Sequence, residues 1–347
     1  MHARKIIKNY MLYVIDLNPY IEKSGVIHLE DYEEKAIGLY RYDKSIAALP
    51  YSFSLFSMIV NSEDYGDQVG WTIYDLIEYD SLHPDTPLVG DCNKNMVLQV
   101  CLFPCINEYV YKDNGKSFID SEAIRDILLY ADSYPDGKDS YNRYSYGGLV
   151  RTVWIQKPDE IQSINNLRFE GKVDYIGFPT KTGNPKTFML ADGKKSALAI
   201  CGGSRQKEAA WDFIEYYLKG DYYDADENSV LSDSRYNYMS GIPSNKLLLE
   251  KYMMYLGAEN SPLTGAEGTG DPSKGYYVTY MRYPLSEKEQ KELYELIGTA
   301  ELFDYRNSAV IEIIEEEVGA FFSGQRSIDD TMSIIQNRVN LFLSENN

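Results

Sequence analysis

Short apolar runs, each bounded by Pro, Gly or charged residues, alternate along this chain with amphipathic stretches that carry their own helix-capping signals. An alternation of that kind folds into layered α/β structure. The runs lie at 45–49, 53–60, 173–178 and 196–201, and they suit central strands of an α/β sheet. At 347 residues the chain exceeds what one hydrophobic core usually organises, so two domains or one long α/β unit are expected. No internal repeat of solenoid period interrupts the pattern.

The helical stretches are punctuated in sequence. Ser204 is placed to cap a helix over 207–218, where Ala210, Ile214, Tyr217 and Leu218 share a face and Gly220 stops it. Trp211 is assigned to that helix's packing. Ser286 and Glu289 form a capping box for a helix ending at Gly298, because each side chain answers a free N–H of the first turn. Ser327 with Asp330 opens the last helix, with Ile328, Met332, Ile335, Val339 and Phe342 at helical spacing. The Gly-, Pro- and Ser-rich stretch 260–275 is expected to be a loop inserted between helices. A second loop begins at Tyr134, since Pro135-Asp136-Gly137 suits a tight turn.

Charge and motifs exclude more than they identify. Lys and Arg number 34 against 53 Asp and Glu, and binding a phosphate backbone depends on clustered cations, so nucleic acid is not an expected partner. No window approaches the roughly 18 to 20 uninterrupted apolar residues that cross a bilayer. The opening Met1 to Lys5 is basic, but Lys8, Asn9 and Asp16 interrupt any apolar export core, so the sequence as given is expected to carry no signal peptide.

Cys92, Cys101, Cys105 and Cys201 are too few for a disulfide scaffold and leave the redox state open. The first three lack paired C-x-x-C spacing or a nearby histidine; they are expected as small buried hydrophobes, and no metal is expected. His2, His28 and His83 sit beside no Ser or Cys motif, and no nucleophile elbow, zinc-protease helix, Walker A loop or dinucleotide turn occurs. No catalytic residue and no cofactor are expected. A glycosidase carboxylate pair is defined by separation in space, so that alternative stays open. Glu315, Glu316 and Glu317 point about 100° apart on a helix and read as a solvated face.

Aromatic residues are the compositional oddity, with 32 Tyr, 12 Phe and 3 Trp. Sugars have flat apolar faces edged by hydroxyls, and Tyr and Trp are apolar plates with a hydrogen-bonding edge, so the excess fits carbohydrate. Ordinary core and surface tyrosines account for most of it.

Several ordered segments carry a resemblance. Asp16 to Ile21 reads DLNPYI, and Ala48 to Ser54 reads ALPYSFS. Gly70-Trp71-Thr72 starts a helix with Thr72 as N-cap. Ile176 to Thr180 reads IGFPT, with Gly183 following; Lys207 to Ile214 reads KEAAWDFI, and Gly241 to Asn245 reads GIPSN. The end carries Ile313-Ile314-Glu315-Glu316-Glu317, then Phe322-Ser323-Gly324-Gln325, then Ile334-Ile335-Gln336-Asn337-Arg338-Val339. In this order the segments resemble the extracellular solute-binding proteins of bacterial ABC importers, family 1, of the sugar-binding type.

The resemblance implies a periplasmic-binding-protein-like type II α/β fold, two lobes joined by a hinge, with the first lobe incomplete at its N-terminus because DLNPYI begins so early. It places a remnant of lobe one at 1–49 and about 201–240, lobe two at 50–200, and a C-terminal helical region at 241–347 bracing both. The implied function is noncatalytic capture of a mono- or oligosaccharide in the interlobe cleft and delivery to ABC permease subunits. A carboxylate-pair glycosidase or a transporter-free sensory module are the alternatives. The implied location is the extracellular face of the cell membrane, as a monomer lipid-anchored in its full-length form. Trp154, after the strand that begins at Gly147, is the implied stacking aromatic; Tyr51, Ser52 and Phe53 border the cleft. Tyr144, Tyr146, Asp304, Tyr305 and Arg306 are further ligand-binding candidates.

Overall fold

The computed structural model describes residues 13–65, 69–90, 92–113, 116–136, 148–191, 196–218, 241–258, 265–271, 276–303 and 308–345. Its strands are β1 (Arg41–Tyr42), β2 (Ser45–Ile46), β3 (Leu49–Pro50), β4 (Ser52–Asn61), β5 (Val110–Asp113), β6 (Lys116–Ile119), β7 (Val150–Ile155), β8 (Val173–Tyr175), β9 (Phe188–Leu190), β10 (Ala197–Leu198), β11 (Ile242–Pro243), β12 (Gly265–Asp271), β13 (Tyr276–Arg282) and β14 (Glu301–Leu302). Its helices are α1 (Asn18–Ile21), α2 (Glu34–Gly38), α3 (Ser62–Tyr65), α4 (Ile73–Ser81), α5 (Lys94–Cys101), α6 (Ser121–Asp132), α7 (Glu160–Leu167), α8 (Lys207–Leu218), α9 (Lys246–Gly257), α10 (Glu287–Thr299), α11 (Ser308–Phe322) and α12 (Ile328–Glu345).

β4 organises the larger part of the molecule. Antiparallel β7 and β11 pair along one of its edges, and β8 and β9 along the other, with β14 running parallel to β9. Successive side chains of a strand point to opposite faces. Phe53, Leu55 and Ile59 therefore enter a core shared with α7, α9 and α10, while Met58 and Val60 enter a second core shared with α4, α5, α6, α11 and α12. Each such buried aliphatic or aromatic side chain contributes roughly 1.5–3 kcal/mol over leaving it in water. The helices are fixed at their ends as their sequences require. Thr72 and Asp75 cap α4 reciprocally, and Ser286 and Glu289 do the same for α10. The Ser327 hydroxyl accepts from Asp330 N at 3.1 Å at the start of α12.

A third, smaller core gathers Leu17, Ile27, Tyr32, Ile37, Ile46 and Leu49 with Ile200, Trp211, Ile214 and Leu218. Its frame is α8 on one side and very short strands, β1–β2 and β3–β10, on the other. The Asp16 carboxylate ties the entry of the chain to this unit, accepting from Asn18 N at 3.2 Å and from Ile46 N at 3.1 Å. Pro19 sits in the first turn of α1, where its missing N–H costs nothing. Among the described residues three places join this unit to the sheet: the junction of β3 and β4, Ser196 just ahead of β10, and β11 with the Ser244-Asn245 pair that follows it.

Several expectations are revised. Only the run at 53–60 lies in a central strand; 45–49 divides between β2 and β3, and β10 takes two residues of 196–201. The run at 173–178 stops at Tyr175 because Gly177 takes φ +76, where an added Cβ would lie 2.4 Å from Lys186 N. The stretch 260–275, expected as a loop, contains β12, paired in register with β13 from Gly265↔Arg282 to Asp271↔Tyr276. Its glycines, which argue for a loop by composition, are tolerated because two strands can supply each other's hydrogen bonds. Ser204 Oγ accepts from Gln206 N at 3.1 Å, ahead of α8, rather than from the helix itself. Tyr217, assigned to the buried face of α8, is 38% exposed, and Trp211, Ile214 and Leu218 carry that face instead. Glu316 and Glu317 are paired rather than merely solvated: Arg338 reaches both, and Arg326 reaches Glu317, joining α11 to α12.

Candidate functional site

Register brings one row of rings together across the sheet. Trp154 of β7 and Phe188 of β9 both lie opposite Phe56 of β4, on the face that carries Met58 and Val60. The Trp154 and Phe56 rings stand 5.7 Å apart at 47°. From Phe56 the rings continue inward to Phe178 at 4.8 Å, then from Phe178 to Phe188 at 5.6 Å and from Phe188 to Phe303 at 5.0 Å. Tilted pairs at these spacings are favourable beyond the area they bury. Trp154 ends the row and is 37% exposed, whereas Trp71 and Trp211 are 1% and 6% exposed. Trp71 donates its indole N–H to Gly177 O at 2.9 Å, and Trp211 packs against Tyr20 at 5.4 Å. Trp154 is thus the most exposed of the three tryptophans.

Beside this row, on the same face of β4, lies Ser54. It is fully buried, and its hydroxyl has no hydrogen-bond partner in the structure. Leaving a hydroxyl buried and unpaired costs about 1–3 kcal/mol. Two positions nearer the hinge, Ser52 is also fully buried, against Gly241, whose φ is +129 and where an added Cβ would lie 2.5 Å from Ser52 Cβ. Tyr51, half-buried, meets the ring of Tyr217 edge-on at 5.4 Å. Phe53 points to the opposite face and is fully buried there among Leu55, Ile242 and Tyr252, so its ring serves the core. Tyr144, Tyr146, Asp304, Tyr305 and Arg306 lie outside the described residues. Phe56 and Ser54 are not among the residues singled out from sequence. Ser54 falls in the short alternation Ser52-Phe53-Ser54-Leu55, which breaks at Phe56-Ser57, so nothing local marks Phe56.

The turn that follows Trp154 is held by a carboxylate. Glu160 Oε2, at the start of α7, accepts from Gln156 N at 2.6 Å and from Lys157 N at 3.2 Å. Burial pushes the Glu160 pKa up to about 7, against these two donors, which favour its charged form. Cys92, Cys101 and Cys105 are free and buried among the apolar residues beneath α5, and Cys201 is free and exposed. Burial pushes the Cys92 thiol up to about 12 and raises Cys101 and Cys105 well above the ordinary thiol range, so these three behave as small hydrophobes. Among the described residues no group of three or more His, Cys, Asp or Glu side chains converges as a metal site, and no helix is long and apolar enough to cross a membrane.

No protein-family model matches the sequence, and no curated protein matches it significantly. Solved structures do match in fold. Maltose-bound MalE3 of T. maritima superposes with a TM-score of 0.55 at 16% identity, over 97% of this chain and 82% of that one. An ABC substrate-binding protein of Listeria monocytogenes, in complex with cycloalternan, gives 0.53 at 12% identity, over 98% and 82%. A family 1 extracellular solute-binding protein of Alicyclobacillus acidocaldarius gives 0.53 at 10%, over 97% and 81%. Two unequal α/β units, three crossing segments and these superpositions lead to one conclusion: the chain has the two-lobed, hinged α/β fold of the type II periplasmic binding proteins, the fold of the family 1 extracellular solute-binding proteins.

Proposed function

We propose that this chain captures a mono- or oligosaccharide between its lobes, with Trp154 as the stacking plate, and delivers it to the permease subunits of an ABC importer. The observation that carries the reading is the Trp154 ring: 37% exposed, backed by Phe56, at the end of the sheet nearest the crossing segments. A backed aromatic plate offers an apolar surface of fixed orientation, which is what the flat face of a pyranose requires. Two structural neighbours hold maltose and cycloalternan, which supports the same class. The role involves no chemical step. Binding energy goes into favouring one arrangement of the two lobes, and a partner that distinguishes arrangements reads the outcome.

In this reading lobe one comprises 1–49 and about 201–240, lobe two 50–200, and 241–347 braces both. The bracing is supported by Lys246 donating to Glu30 O at 3.0 Å and Lys35 donating to Gly298 O at 2.8 Å. Tyr51 and Ser52 are the proposed border of the cleft, and Tyr144, Tyr146, Asp304, Tyr305 and Arg306, outside the described residues, are further proposed ligand-binding residues. In this reading the protein works as a monomer held at the outer face of the membrane by a lipid anchor.

Calorimetric titration with maltose, maltotriose, cyclic oligosaccharides and simple hexoses tests the reading, with intrinsic fluorescence read in parallel. Because Trp71 and Trp211 are buried, a sugar-dependent change reports on Trp154. Trp154→Ala is expected to weaken binding roughly tenfold, the loss of about 1.4 kcal/mol. No heat and no fluorescence change from any sugar overturns it.

A further inference from the structure

The chain changes partners at a single residue as it passes from one unit to the other. β3 pairs with β10 as far as Pro50, and one residue later β4 pairs with β11 from Ser52 and then with β9 from Ser54. Tyr51 lies between the two ladders and belongs to neither. Its backbone groups are satisfied from the two neighbouring crossing segments: Tyr51 N donates to Ser196 O at 2.9 Å, and Tyr51 O accepts from Ser244 N at 3.1 Å. The same two serines hold the residues on either side. Ser196 O also accepts from Ser52 N at 3.3 Å, and the Ser244 hydroxyl donates to Pro50 O at 2.6 Å.

Each serine is in turn fixed to the smaller unit. Ser196 Oγ and Tyr40 OH are hydrogen-bonded at 2.6 Å, and Ser244 O accepts from Glu33 N, the residue before α2, at 2.8 Å. Both serines are buried, at 1% and 0% exposure, so water offers no substitute for a lost partner. Gly241 closes the contact from the β11 side, since no side chain fits between it and Ser52.

We propose that Ser196 and Ser244 form a two-sided clamp on the Pro50–Ser52 junction that sets the resting angle between the two lobes. Ordinary strand pairing resists rotation by many parallel bonds; here the ladder is interrupted, and the two serines carry the restraint. The sequence offers such a joint a small, hydrogen-bonding residue on each flanking segment. The clamp concerns the unliganded protein and does not depend on sugar capture.

The test is a distance measurement between two spin labels in the absence of any sugar. Cys201 is the exposed thiol of the four and lies in the smaller unit; Glu122→Cys on α6 supplies an exposed partner in the larger one. The parent protein is expected to give one narrow distance distribution. Ser244→Ala and Tyr40→Phe are each expected to shift or broaden it, raising the population away from the main distance roughly fivefold, the factor for one net hydrogen bond of about 1 kcal/mol. Ser57→Ala is the control: it removes a buried hydroxyl bonded to Thr187 at 2.7 Å inside the sheet, away from the junction, and is expected to leave the distribution in place. If Ser244→Ala does not fold, Tyr40→Phe decides. Distributions of both clamp variants that overlay the parent, or a Ser57→Ala shift as large as theirs, overturn the proposal.

Discussion

The sheet built on β4 and the smaller unit around Trp211 bury similar residue types but hold them differently. In the sheet, one ten-residue strand is covered on both faces by helices, so every helix on either side leans on the same backbone. In the smaller unit, among the described residues, two-residue strands and the twelve-residue α8 enclose a core whose long-range closure comes from segments separated by more than 150 residues, Leu17 to Leu49 and Ile200 to Leu218. A small core of that kind supplies few kcal/mol beyond the entropy of ordering its chain. Stability is therefore unevenly distributed, with the smaller unit nearer the threshold for local opening.

Four substitutions break or sharpen that contrast. Phe53→Ala hollows the core beneath the sheet and is expected to cost about 3–5 kcal/mol, read as a lower midpoint for the single main transition in urea. Trp211→Ala removes a comparable ring, but its effect is expected to stay local: amide exchange in 207–218 accelerates while the main midpoint falls far less. Equal loss of midpoint in the two variants would show one cooperative block instead of two. Thr72→Ala takes away a capping box and is expected to cost about 1 kcal/mol in the sheet unit, again by urea denaturation.

A further effect is one of pH. Glu160 is raised in the folded state to about 7, so the folded protein holds that proton more tightly than the unfolded chain does. This group therefore subtracts stability as pH rises from the ordinary carboxylate range through about 7. Glu160→Gln keeps an oxygen for the two backbone donors and is expected to flatten that slope. Melting curves at about pH 5 and about pH 8 read the difference, which should vanish at the lower value. A parallel displacement at both values would mean that the carboxylate acts through packing and not through its charge.

What could be read from sequence follows from range. Capping boxes at Thr72 and Ser286 and the helix opening at Ser327 involve neighbours three residues apart, and each appears where the chain announces it. The long apolar strand was legible for the same reason: its apolar run is contained within itself. The short strands were not, because β3 exists only through β10, nearly 150 residues away, and β12 only through β13. Trp154 became a candidate through the family resemblance alone, and the ring behind it, Phe56, becomes visible only when register places the two opposite one another. Ser244 sits in a recognisable GIPSN phrase, yet nothing local indicates that its hydroxyl reaches back to Pro50.

β4 starts beside the joint and runs uninterrupted to Asn61. At about 3.3 Å per residue its ten residues make a lever roughly 30 Å long, so a turn of about 10° at the joint sweeps its far end through about 5 Å. A displacement of less than 1 Å at Tyr51 is thereby magnified severalfold at the opposite rim of the molecule. Small adjustments at the junction become movements large enough for another protein to feel.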